Sequence, residues 1–450
     1  MPNFDPSVRF ERGLLVREEP PPYGQNLWTK HRGTGRWVTD PINNTALGMP
    51  FGDESASWEP LSFSKVKLHD LRPDQQEAVS RWEATRRGVI VMPTGTGKTE
   101  VALQIVSNMA THTLFIAPTR ALAYQLTARI EEAFSTTVGF IGDNTYRLAP
   151  ISVATYDSAA IKMEFIGNYF KLLVFDECHH LPGEFYSDAA RMSAAPYRLG
   201  LTATPERADG GEKHYHHLIG PICYNLPISE VQGSILAKYQ IKRIPVLLTD
   251  EEQREYDALG KTIREHIVNR QQEQPDYCWE DVSKNIASDP EARHAFHARL
   301  KRRSLEEHAS EKLSVLEELL QAHNQQVVVF TGSNIMARKI ATRFLIPCLL
   351  ATTGKKERQV ILDGYRLGEF KAIIANRVLN EGVDVPSAKV GIVLGGTGSE
   401  RDAIQRLGRI LRKRGVEEAT LYEVVCAGTG EEQKSRKRRR NDAYKRTSTL

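Results

Sequence analysis

No stretch of this 450-residue chain approaches the roughly 20 consecutive apolar residues a helix needs to cross a bilayer. The opening residues, MPNFDPSVRFERG, contain no apolar signal-peptide core. Cysteine is scarce: Cys178, Cys223, Cys278, Cys348 and Cys426 are scattered, odd in number and form no CxxC pair. That usage argues against a disulfide framework and an ordinary zinc site, and predicts a reducing, cytoplasmic setting. His214, His216 and His217 cluster in KHYHH, with His179, His180 and Cys223 elsewhere, but the spacing matches no zinc pattern. Charge of one sign is also lacking, for the net value is only +4. The excess is local. KSRKRRRNDAYKR at 434–446 is strongly basic and reads either as a solvated, disordered arm or as a contact to nucleic-acid phosphates.

What is present is ordinary soluble composition, 40% apolar and 26% charged, in a chain too long for one core. Residues 1–60 are rich in Pro, Gly and aromatics with short strand-like runs, which predicts a small N-terminal module, either β-rich or partly disordered. From 61 to 235, the apolar runs GVIVMP, TLFIAP, ISVATY, KLLVFDE and YRLGLTAT alternate with helical patterns, the signature of a parallel sheet covered on both faces. Residues 250–315 lose the strands and turn charged and helical, with opposite charges three or four apart. The βα rhythm returns with QVVVFTG, KAIIANRV and KVGIVLGG, so a second α/β lobe spans 236–433 around a helical insertion, ahead of a basic tail at 434–450.

The run GVIVMPTGTGKTE at 88–100 has the strand–loop–helix context of a phosphate-binding loop, although Met92 stands where the simplest pattern wants glycine. Gly95, Thr96 and Gly97 leave room for backbone N–H groups to face phosphate. Lys98 would reach the outer phosphates and the Thr99 hydroxyl would ligate Mg²⁺. LLVFDECHH supplies the partner: Asp176 to hold Mg²⁺ and Glu177 to orient and deprotonate the attacking water, at the sheet edge where such folds place ligands. Upstream, Gln75 in LRPDQ carries an amide suited to the adenine edge, and Arg72 could stack on the base or neutralise phosphate; either could equally be a surface side chain. In the second lobe, IQRLGRILRKR sets Arg406, Arg409 and Arg412 on one helical face, where guanidinium forks match a γ-phosphate; alone, it would read as a solvated basic helix. Gly382 and Asp384 of NEGVDVP lie on a loop after a strand, with Asp384 placed for the ribose hydroxyls. A nucleotide gripped by two lobes would close them on ATP and release them after hydrolysis, the behaviour of a motor.

In order, LRPDQ, MPTGTGKT, APTRALAYQ, ATYDSA, DECHH, LTATPER, VFTGSN, NEGVDVP and QRLGRILR run across residues 71–412. The set resembles a superfamily-two helicase, and DECHHLPGEFY, RLGLTATPERADGG and GGTGSERDAIQRLGRILR resemble the XPB-type DNA helicases, above all their short archaeal and bacterial forms. The resemblance implies an α/β fold of two RecA-like P-loop lobes, a helical thumb inserted in the second, a damage-recognition-like N-terminal module, and ATP-dependent 3′-to-5′ helicase or duplex translocase activity in repair or transcription. It implies backbone contacts to DNA from Thr119, Arg120 and Gln125, from Thr155, Tyr156 and Ser158, and from Thr331, with little sequence preference. Thr202 and Thr204 would couple hydrolysis to lobe movement with Gln405, and His179 would link the carboxylates to the LTAT strand. The family's Arg-Glu-Asp element is here Arg207-Ala208-Asp209, so strand separation by that element is set apart from ATP hydrolysis, which the change leaves untouched. Arg302 and Arg303 offer a grip on duplex DNA or a solvated helix face. The expected partners are DNA and a nuclease, with no membrane, for a monomer or a hetero-complex. Competing readings are an RNA helicase, a restriction-system motor, or a nucleotide-gated DNA clamp without turnover.

Overall fold

The computed structural model describes residues 7–22, 24–43, 59–181, 183–203, 213–231, 239–350, 352–376, 388–395, 419–438 and 447–449. They form two compact units whose described residues run from 7 to 231 and from 239 to 449.

The first unit is built on an eight-stranded sheet in the order Ile222–Asn225, Arg87–Val91, Tyr197–Thr202, Leu172–Asp176, Thr113–Ala117, Ile151–Thr155, Gly139–Gly142 and Thr145–Arg147. Every neighbouring pair is parallel except the last, a hairpin whose turn residues Asp143 and Asn144 both adopt positive φ. Central strands such as Thr113–Ala117 and Ile151–Thr155 are buried at every position, because helices cover both faces. Pairing of Thr202 with Val91, Asp176 with Leu201, and Ala117 with Thr155 brings the carboxyl ends of five strands to one edge. The loops that leave this edge carry the motifs.

Residues 9–39 contribute a four-stranded antiparallel sheet that packs on this unit. Val8, Leu15 and Trp28 share a small core with Ala194, and Arg191 donates to Asp40 at 2.7 Å. Beneath the contact lies Arg198, fully buried, whose guanidinium donates to the carbonyls of Ser193, Ala195 and Leu218. Burial pulls its pKa well below the ordinary arginine value.

The second unit holds seven strands, all parallel, in the order Cys348–Leu349, Ala372–Ala375, Val327–Thr331, Val390–Leu394, Ala419–Cys426, Tyr239–Val246 and Thr447–Thr449. Between Tyr239–Val246 and Val327–Thr331 the chain leaves the sheet for the helices Asp250–Glu273, Trp279–Lys284, Pro290–His308 and Glu311–Ala322. The first of them starts on a capping box made by Thr249 and Glu252. The thumb therefore has its own small core, Tyr277, Val282, Ala292 and Ala295, and a polar root. At that root Lys312 is fully buried and donates to Glu431 Oε2 at 2.7 Å and to the Glu306 carbonyl at 2.6 Å. Glu306 accepts from Tyr256 Oη and from Gly430 N, and Arg302 lies over the Tyr256 ring at 3.9 Å.

The basic C-terminal segment differs from a free arm where it is described. Helix Gly430–Arg438 buries Ser435 against Glu423, and Thr447–Thr449 extends the sheet beside Tyr239–Val246.

Candidate active site

The loop after Arg87–Val91 begins at Met92, which is buried and still paired, its N–H donating to the Thr202 carbonyl at 3.0 Å. Met92 thus continues the strand and glycine is not required there. Gly95 and Gly97 turn the chain, with φ of 85° and 86°. The positive φ of Gly97 demands glycine, and a Cβ there would also push the Gln75 amide off the Thr96 carbonyl. The helix Lys98–Met109 follows directly, pointing its N-terminal N–H groups and dipole at the loop.

Lys98 is nearly enclosed, with 10% of its side chain exposed. Its Nζ donates to the Met92 carbonyl at 3.3 Å and lies 3.7 Å from Glu177 Oε1. Glu177 sits in the left-handed region, φ 47°, a conformation that costs a non-glycine residue about 1–2 kcal/mol. The turn is held by its own N–H donating to Asp176 Oδ1 at 3.1 Å. Glu177 Oε2 is buried, accepts no hydrogen bond from the described residues, and lies 3.5 Å from His179 Nδ1. The same His179 nitrogen is 3.2 Å from Thr202 Oγ1, so the carboxylate turn and the strand Tyr197–Thr202 meet at one imidazole, and the phosphate-loop lysine joins them through Glu177. Between them Cys178 is fully buried, and burial followed by the Glu177 and Asp176 charges pushes its thiol pKa well up; it is a protonated core residue.

Arg72 and Gln75 face the loop from the helix Pro73–Thr85. Arg72 Nη2 and Gln75 Nε2 both donate to the Thr96 carbonyl, at 2.6 and 3.0 Å. The buried Thr96 hydroxyl donates to the Pro93 carbonyl at 2.7 Å. Gln75 also closes the N-cap of its own helix by accepting from Arg72 N. In this structure the two residues brace the loop backbone. Thr99 is exposed at the first turn, and Asp176 is half-buried beside Glu177.

The residues expected along the DNA path divide. Arg120 and Gln125 are exposed on the helix Arg120–Phe134, capped by Thr119. Arg120 pairs with Asp143 at 2.6 Å, and Tyr124 Oη donates to the other Asp143 oxygen at 2.9 Å. Sequence reasoning passed over Asp143; the DN pair after an apolar strand was the available signal. Tyr156 corrects the expectation of an exposed contact: it is 2% exposed, and its hydroxyl donates to the Asp176 carbonyl at 3.1 Å. Thr155 and Thr331 are buried as well, and Thr155 serves as the N-cap of the helix Tyr156–Ile166. Arg302 is committed to Tyr256, and Arg303 pairs with Glu307 at 3.1 Å. Thr204, Arg207, Asp209, Gly382, Asp384, Gln405, Arg406, Arg409 and Arg412 lie outside the described residues.

Two family models match the chain: the res subunit of type III restriction enzymes over residues 68–207, and the ERCC3/RAD25/XPB C-terminal helicase over 291–442. The DNA 3′-5′ translocase XPB2 of Sulfurisphaera tokodaii is 45% identical over 84% of this chain and 86% of its own length. The DNA 3′-5′ helicase XPB of Kineococcus radiotolerans is 28% identical over 82% of this chain, which spans 62% of that longer relative. Among solved structures, the Pyrococcus furiosus Hef helicase domain aligns with a TM-score of 0.51 at 19% identity, covering 82% of this chain and 98% of that domain, a likeness of fold.

Proposed function

The chain belongs to the XPB family of superfamily-two helicases, and from that premise we infer that it is an ATP-driven DNA helicase or translocase acting in repair or transcription. The observation that carries the reading is the meeting of Lys98, Glu177, His179 and Thr202 beside a braced glycine loop at the helix Lys98–Met109. Lys98 now rests against a carbonyl and a carboxylate, and the outer phosphates of ATP supply stronger acceptors for it. Glu177 is the general base: one carboxylate oxygen accepts no hydrogen bond from the described residues and lies 3.5 Å from His179, so an attacking water would satisfy it. His179 and Thr202 are positioning residues that carry the state of that carboxylate to the strand Tyr197–Thr202. Arg409 and Arg412 are proposed to stabilise the charge that develops on the γ-phosphate, and Asp384 with Gly382 to hold the ribose.

Thr99 and Asp176 offer only oxygen donors, which suits Mg²⁺. Bound there, the ion would neutralise phosphate charge. Arg120 and Gln125, exposed at the start of their helix, are proposed to meet DNA phosphates, whereas the buried Thr155 and Thr331 cap and shape the neighbouring turns.

ATPase rates measured with duplex DNA, single-stranded DNA and RNA test the substrate. Stimulation by DNA of either form is expected, and stimulation by RNA alone would overturn the reading. Comparing strand displacement on forked DNA with displacement of a roadblock from duplex then separates unwinding from translocation.

A further inference from the structure

One charged cluster in the first unit is used by none of the roles above. Arg129 Nε donates to Glu100 Oε1 at 3.0 Å and Arg129 Nη2 donates to Glu100 Oε2 at 2.7 Å, a two-pronged fork. The two side chains are only 18% and 20% exposed. Glu100 lies on the helix that starts with Lys98, two residues further on. Arg129 lies on the helix that starts with Arg120, nine residues on, or about 14 Å along its axis. The fork therefore ties the nucleotide-loop helix to a helix whose far end carries Thr119 and Arg120.

The extended residues 59–71 bind the same two helices together. Leu61 N donates to the carbonyl of Ala110 at the end of the first, and Lys67 N donates to the carbonyl of Ala133 near the end of the second. Phe63 stacks on Phe134 with ring centroids 4.5 Å apart. His69 Nδ1 then lies 3.1 Å from Glu100 Oε2 and 3.2 Å from Arg129 Nη2, three residues before Arg72 reaches the Thr96 carbonyl. Burial alone would raise the Glu100 pKa, yet the hydrogen bonds from Arg129 and His69 leave it below its ordinary value. Arg129 is shifted up by its hydrogen bonds to Glu100. Each ion thus holds the other charged.

We propose that Glu100 and Arg129 form a strut that couples nucleotide occupancy of the loop to the DNA-contacting end of the helix Arg120–Phe134, making both of them positioning residues for DNA-stimulated hydrolysis. The proposal rests on the function inferred above. A fork is suited to this task because it resists both sliding and rotation, whereas a single lysine contact resists neither. When nucleotide shifts the first turn of one helix, the anchored point of the other moves with it, and the segment beyond that point acts as a lever on Arg120.

The test compares Glu100→Gln, Arg129→Gln and the double variant with the unaltered protein, reading basal ATPase, DNA-stimulated ATPase, KM for ATP and Tm. The ratio of stimulated to basal rate is expected to fall about fivefold or more in each single variant, the lower bound for a typical coupling between sites. Basal rate and KM should stay within about twofold, and the double variant should be no worse than either single one. Arg129→Lys, which keeps the charge and one contact, should recover part of the ratio. Glu132→Gln, which removes only an exposed contact to Arg129, should not alter it. An unchanged ratio, additive losses, or basal rate and Tm falling in step with the stimulated rate would overturn the strut. Absence of DNA stimulation in the unaltered protein would instead remove the helicase reading on which it depends.

Discussion

Glu177 gathers the demands of the site into one side chain. Its backbone is strained, one carboxylate oxygen faces Lys98, and the other is buried without a hydrogen-bond donor among the described residues. Strain of this kind persists where the surroundings over-determine it, and it preserves an aim that a relaxed turn would lose. Glu177→Gln keeps the shape and removes the base, so turnover should fall by about 10²-fold or more with nucleotide binding retained; single-turnover hydrolysis and nucleotide titration check the split. Gly97→Ala should act differently. It forces a Cβ against Gln75 and a left-handed alanine, so nucleotide affinity and Tm should fall together. That Lys98 and Glu177 share one site was readable because each sits in a compact local motif, the glycine loop and the DECHH turn. The burial of Tyr156 was not: polar type and position at a strand end resemble a surface contact, and only the burial of its side chain and the hydroxyl's bond to the Asp176 carbonyl reveal a core residue. Arg72 and Gln75 read as contacts to base and phosphate or as surface side chains; their donation to the Thr96 carbonyl depends on tertiary distances that the sequence does not carry.

At the scale of elements, alternating apolar runs announced the two parallel sheets, since strands buried on both faces must be apolar throughout. The polar knot at the thumb root was invisible, because Tyr256, Glu306, Lys312 and Glu431 read as ordinary charged helix positions and converge only in the fold. Lys312→Met should cost about 3–5 kcal/mol by leaving Glu431 buried without its partner, and adding Glu431→Gln should return much of the loss; urea unfolding of the four proteins completes the cycle. Glu432, nearby, accepts from Gly428 N and from Arg243, in that order of effect, and its pKa falls to about 2. A carboxylate held below its unfolded pKa stabilises the fold above the ordinary range and loses that contribution as pH drops towards 2. Stability should therefore decline between about pH 4.5 and pH 2, and Glu432→Gln should flatten that segment of the pH profile.

For the molecule as a whole, net charge says less than its placement. The basic segment starts on a helix that is part of the second unit, where Arg436 pairs with Glu432 and Ser435 is buried. Truncation from 434 would remove folded structure along with charge, so substitution is the cleaner probe. Arg439→Gln with Arg440→Gln should lower the slope of log affinity against log salt by about 0.7–0.9 for each phosphate that these side chains neutralise, with ATP turnover unaffected. Filter-binding across a salt series measures it, and an unchanged slope would make these arginines spectators. The N-terminal sheet is likewise docked: composition announced short strands, but nothing in it pointed to the contacts with Ala194 and Arg191 that seat them.

Thr447–Thr449 lies along Tyr239–Val246 and occupies amide and carbonyl groups that would otherwise face outward in a row. Removing that strand would offer the row to any extended peptide, including another molecule's own strand. Deleting Thr447–Thr449 should therefore be felt first as self-association at high concentration, read by light scattering, well before ATP turnover suffers.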